Sequence, residues 1–162
     1  MARIIRLLAL AGSIAFLNAS ASAQTSSQAG HTAPRDTFRV IGDAELAKLS
    51  SGKTPLVLST LVDHENHYVL VAGRSGPGEV EIHEHWIDYM VIQQGEAEFT
   101  SGGTASGMHD TGPGEKRGGS ITGGTVVNLK PGDFVVVPAG QPHLTMIKGS
   151  GPFRAVIVKV RE

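Results

Sequence analysis

The sequence predicts an all-β protein, a closed barrel or double-sheet jelly roll with one short helix, on three observations. From Pro55 onward, short runs rich in β-branched and aromatic residues alternate with Gly, Pro, Asn and Asp, the pattern of strands and turns. No long stretch of helical periodicity interrupts them. The runs number about eight, enough to close a sheet on itself and remove its edges.

In order, the expected strands are Leu56 to Val62, Tyr68 to Ala72, Val80 to Trp86, Asp88 to Phe99, Thr125 to Leu129, Phe134 to Pro138, Leu144 to Ile147 and Phe153 to Val160. Segments such as Gly73 to Gly78 and Lys130-Pro-Gly-Asp133 separate them. The helix precedes them. Asp43 is expected to cap it, with Leu46 and Leu49 on one face before Gly52, so that it packs against the outside of the barrel. Nine of the 23 positions from Gly102 to Gly124 are glycine, which argues for a long flexible hairpin or flap rather than a packed strand pair. It carries His109, Asp110, Glu115, Lys116 and Arg117, and long loops of this kind often act as lids.

The first 23 residues read as a secretory signal. Arg3 and Arg6 give a positive start, Ile4 to Phe16 is a short apolar run broken by Arg6, Gly12 and Ser13, and small residues follow, ending in Ala21-Ser22-Ala23. The run is too short and interrupted for a stable anchor, which needs roughly 20 apolar residues. Cleavage after Ala23 would release the protein into the bacterial periplasm or medium with no membrane anchor. Residues 24–36, rich in Ser, Thr, Ala and Gln, read as a flexible linker, and residues 37–162 as a single domain.

The chain holds 14 Lys and Arg against 15 Asp and Glu, and two of the cations belong to the leader. No basic cluster remains to neutralise a run of phosphates, so nucleic acid is not an expected partner. Cysteine is absent. An exported chain without disulfides holds together by packing, and any metal site must use His, Asp or Glu.

Gly78-Glu-Val-Glu-Ile-His83-Glu-His85-Trp-Ile-Asp88 carries the chemistry. Residues two apart on a strand share a face, so His83 and His85 are expected to present two imidazoles to one side, which suits a divalent transition metal. Asp88 completes that site if the chain bends near Trp86-Ile87. Glu81 shares the face of His83 and is expected beside the metal, orienting a ligand imidazole, or on the strand's rim. In Gly132-Asp-Phe-Val-Val-Val-Pro138-Ala-Gly140-Gln-Pro-His143, a turn delivers a third imidazole at the start of the next strand. Gly140 there permits a positive φ and Pro138 fixes the turn.

These two stretches resemble the paired motifs of the cupin superfamily. The second motif of that family is Gly, five residues, Pro-x-Gly, two residues, His, three residues, Asn. It matches at Gly132, Pro138, Gly140 and His143, with Ile147 in place of Asn. The first is Gly, five residues, His-x-His, three or four residues, Glu, six residues, Gly. It matches at His83, His85 and Gly95, but Asp88 follows His85 after only two residues. The resemblance implies a double-stranded β-helix with His83, His85 and His143 as ligands to one divalent transition ion (Fe, Mn, Ni, Cu or Zn). Asp88 is the fourth expected ligand.

The same resemblance implies either a metal-dependent enzyme acting on a small molecule or a non-catalytic module binding a sugar or organic acid. It also implies pairing of two copies through their sheets. Glu81, Asp88 and His109 are the candidate general bases. His64 and His67 read as a polar turn, and Glu115-Lys116-Arg117 as a solvated loop, with an anion clamp as the sharper alternative.

Overall fold

Alternating side chains give each strand one face for a shared interior and one for solvent, and the chain folds on that basis. The computed structural model describes residues 38–162; the expected signal peptide and linker lie outside the described residues. Among the described residues, no helix is long and apolar enough to cross a membrane. The first element is α1 (Asp43–Leu49). Gly42 is its N-cap, so Asp43 is the first helical residue instead of the cap. Its carboxylate turns to the buried guanidinium of Arg154, while Ser59 donates to the carbonyl of Leu49 at 2.7 Å and ties the other end to the sheet.

Thirteen strands follow: β1 (Leu56–Asp63), β2 (His67–Arg74), β3 (Glu81–His83), β4 (Trp86–Gln94), β5 (Glu96–Ser101), β6 (Thr104–Ser106), β7 (His109–Gly112), β8 (Glu115–Arg117), β9 (Ser120–Thr122), β10 (Thr125–Leu129), β11 (Phe134–Val137), β12 (His143–Lys148) and β13 (Phe153–Arg161). One sheet has the order β1-β2-β13-β4-β11 and the other β10-β5-β12-β3-β8-β7, while β6 and β9 pair separately. Met90, Ile92, Ala97, Phe99, Leu129, Val137, Phe153 and Ala155 come from both large sheets and form one buried cluster between them. The expected jelly roll is what forms.

Three local expectations give way to the structure. The run Val80 to Trp86 is not one strand: β3 ends at His83, Glu84 and His85 form a turn, and β4 begins at Trp86. The run Asp88 to Phe99 breaks at Gly95, whose φ is +76° and where a Cβ would lie 2.5 Å from the carbonyl oxygen of Pro152. The glycine-rich segment is not a structureless flap. It folds into β6 to β9, and β8 pairs with β3. Its glycines occupy the tight corners: at Gly119 (φ +71°) a Cβ would sit 2.0 Å from the Ser106 carbonyl oxygen. Glycine there allows a close chain reversal that any side chain would block, leaving the residues between free to pair.

Candidate metal centre

Directly opposite residues in a sheet point to the same face, and two such rows meet here. On the five-stranded sheet the row runs Asp63, Tyr68, Lys159, Asp88, Val137. On the six-stranded sheet it runs Ser101, His143, Glu81, Arg117, with His83 and Glu115 as the next same-face pair. On neighbouring strands of this sheet, His83 and His143 have ring centroids 5.2 Å apart, and their residues are only 5% and 4% exposed.

The hydrogen bonds orient both rings. His83 donates from Nδ1 to the Glu115 carboxylate at 2.6 Å, and His143 donates from Nδ1 to the Gln141 carbonyl at 3.1 Å. Each neutral ring therefore keeps its Nε2 lone pair for the interior. His83 Nε2 lies 3.5 Å from Glu81 Oε2 and 3.6 Å from Asp88 Oδ2, and His143 Nε2 lies 4.0 Å from Asp88 Oδ2. One ligand atom from each of Glu81, His83 and His143 falls within 4.8 Å of the other two.

Every carboxylate here has a fixed partner. Glu81 takes Arg74 at 2.5 Å and Arg117 at 2.9 Å. Asp88 is straddled by the buried ammonium of Lys159, 2.6 Å from Oδ1 and 2.8 Å from Oδ2. Burial alone would raise the Glu81 carboxyl, but the His83 ring, when it is protonated at Nε2 as well, and the Arg117 and Arg74 charges hold it well below the usual carboxylate range. Burial works against a charged His83, yet Glu115 and Glu81 overcome it and raise its pKa. His143 is lowered, because burial dominates there. Burial, then the charges of Glu115 and Asp88, raise the Tyr68 phenol and keep it protonated.

Two imidazoles and a carboxylate form a donor set that suits a borderline divalent transition ion and contains no thiolate. The engaged Nδ1 atoms add to the fit, since ligating histidines almost always donate their other ring N–H to a carboxylate or carbonyl. Among the expected site residues, His83, Asp88 and His143 come together. His85 does not. It is exposed on the Glu84-His85 turn, where the two-residue alternation from His83 is interrupted. Its ring packs against the corner at Gly114 (φ +72°), where a Cβ would lie 2.7 Å from His85 Cδ2.

Four residues separate His83 from Asp88, and six separate Asp88 from Gly95.

Lys159 and Glu115 are the contributors that local spacing could not reveal. The first lies 71 residues from Asp88 and the second 32 from His83. A faint signal existed for β8, because Glu115-x-Arg117 is charge-complementary, read antiparallel, to Glu81-x-His83. Glu115 and Arg117 thus face the centre, while Lys116 points outward to Glu84 and Asp110. His109 is exposed on the edge strand β7. His64 and His67 stack at 4.6 Å in the β1–β2 turn, as a polar turn would.

No family model matches the chain, and no curated protein matches it. Solved structures do. An uncharacterized conserved protein with a double-stranded β-helix domain from Klebsiella pneumoniae subsp. pneumoniae superposes with a TM-score of 0.55 at 23% identity, covering 76% of this chain and 90% of that one. The cupin domain of Cnp3 from Schizosaccharomyces pombe gives 0.52 at 18% identity, over 68% of this chain and 67% of that one. The structure of FeII HppE gives 0.50 at 15% identity, over 65% and 50%. The fold is the double-stranded β-helix of the cupins.

Proposed function

We propose that this is an exported protein that holds one divalent transition ion through Glu81, His83 and His143 and acts on a small molecule. The observation that carries the reading is the pair of imidazoles, each anchored at Nδ1, that share with the Glu81 carboxylate a cluster whose ligand atoms lie within 4.8 Å of one another. Two histidines and one carboxylate with open positions are the ligand set of many non-haem Fe(II) sites. FeII HppE shares the fold, so iron is the first metal to test, ahead of Mn, Ni, Cu and Zn. A bound ion of this kind would supply a Lewis acid for a substrate oxygen or a site for O2.

The chain's own residues hold that arrangement. Glu115 and the Gln141 carbonyl fix the rings, Arg74 and Arg117 fix Glu81, and Lys159 fixes Asp88. The protonated Tyr68 phenol, on the row of Lys159 and Asp88, is a neutral hydrogen-bond donor. Export rests on the charged, apolar and small-residue order of the first 23 residues.

A second reading, a non-catalytic binding module, draws on one observation. Glu81 is paired with two cations and Asp88 with one, which leaves neither as a strong general base. Elemental analysis of protein purified from its native compartment tests the metal. About one ion per chain is expected, falling to a trace in His83→Ala and in His143→Ala. A wild-type protein that carries only a trace and cannot be reconstituted overturns the proposal. An ion whose removal changes thermal stability alone favours the binding module.

A further inference from the structure

We infer that the small molecule taken by this centre is an anion offering oxygen donors, such as a carboxylate, and not a neutral sugar or polyol. The inference rests on the metal reading above. Three carboxylates line the centre, Glu81, Asp88 and Glu115, and three permanent cations are set among them. Arg74 and Arg117 both close on Glu81, and Lys159 sits across Asp88. Glu115 is committed to the His83 ring. With neutral imidazoles and an un-ionised Tyr68, the formal charges of these groups cancel. A divalent ion then brings two positive charges against one further carboxylate, Asp63, next to Tyr68 on the same inward row, and leaves one positive charge in excess.

Such an excess is costly where water is scarce. The His83 and His143 residues are 5% and 4% exposed, and Lys159 and Asp88 are each 5% or less. Buried charge is tolerated when it is paired, and here the partner must arrive from outside. The rim of the centre reaches solvent at β8, where the Glu115 and Arg117 side chains keep 23% and 26% of their surface exposed. An anion entering past Arg117 meets the ion with Lys159 on the opposite sheet. A neutral polyol has the same oxygen donors but leaves the excess charge in place.

The test uses the full chain loaded with Zn(II), its zinc content read first by elemental analysis. Calorimetric titration then compares glycolate with glycolamide, which share size and donor spacing but differ in charge. The preference for glycolate is expected to exceed that of aqueous zinc for the same pair by about tenfold, as expected for unit charges a few ångströms apart in partly desolvated surroundings. It should narrow several-fold in Lys159→Met and in Arg117→Gln; the second replaces a rim residue and keeps the variant test available if the first fails to fold. A preference no greater than that of aqueous zinc, or one unchanged in the folded variants, overturns the inference and points to hydroxide as the compensating charge. A chain that takes up no zinc overturns the metal reading itself, and this inference with it.

Discussion

The barrel interior has two halves made from the same strands. Along β4 the inward positions run Asp88, Met90, Ile92; along β13 they run Ala155, Ile157, Lys159; along β5, Ala97, Phe99, Ser101; and β12 begins with His143. One half is an apolar cluster in which Ile92 and Phe99 are 1% and 2% exposed. The other is a set of charges and imidazoles in which Asp88, His83, His143 and Lys159 are scarcely more exposed. Burying an aliphatic or aromatic side chain stabilises a fold by about 1.5–3 kcal/mol, whereas a buried ion pair is often no better than an apolar replacement. The apolar half therefore carries the stability, and the polar half uses that rigidity to hold its donors. Alternation assigns a residue's face, but the change of residue class along that face marks the site.

The sharpest test of this contrast is the Asp88–Lys159 pair. In the metal-free protein, Asp88→Asn leaves a buried ammonium without its counter-charge and should lower unfolding stability by about 3–5 kcal/mol in urea titrations. Adding Lys159→Met should recover more than half of that loss, since the pair's value lies in mutual compensation. A double variant no better than the single one would show that the polar half contributes stability after all.

In the apolar half, Ile92→Ala should remove about 2–5 kcal/mol, with metal content per folded molecule unchanged. A stoichiometric loss of metal in the folded fraction would mean that the halves are coupled. Glu115→Gln should do the reverse. It weakens the anchor on His83, so metal affinity measured against a competing chelator should fall about 10- to 100-fold, while urea stability of the metal-free form barely moves.

The smallest effect is in pH. Metal-free His83 has its pKa raised on folding, so its contribution is present below the unfolded value near 6.5 and fades as pH rises through the folded one. His143 is lowered, so its contribution is present above that value and is lost on acidification. The two oppose each other between about pH 5 and 8. Relative to wild type, His143→Gln should gain stability as pH falls across this window and His83→Gln should lose it. Exchanged slopes would reverse the assignment of which ring burial dominates, and parallel profiles would show that the two rings do not differ.

Strand-like runs, the absence of a long helix and the Gly132-to-His143 turn together determined a jelly roll, because face and turn chemistry are local properties read over a few residues. They also set Glu81 and His83 on one face and aimed His143 through Gly140, whose φ is +73°. Only the tertiary structure decided which neighbours share the centre. Spacing alone named His85 as the second ligand, with Glu81 beside the metal or on the strand's rim. A turn packed under Gly114 instead carries His85 away from His83, and Glu115 and Lys159 arrived through cross-strand register with partners 32 and 71 residues away. Register depends on how whole strands pair, and no window of sequence around His83 contains that information.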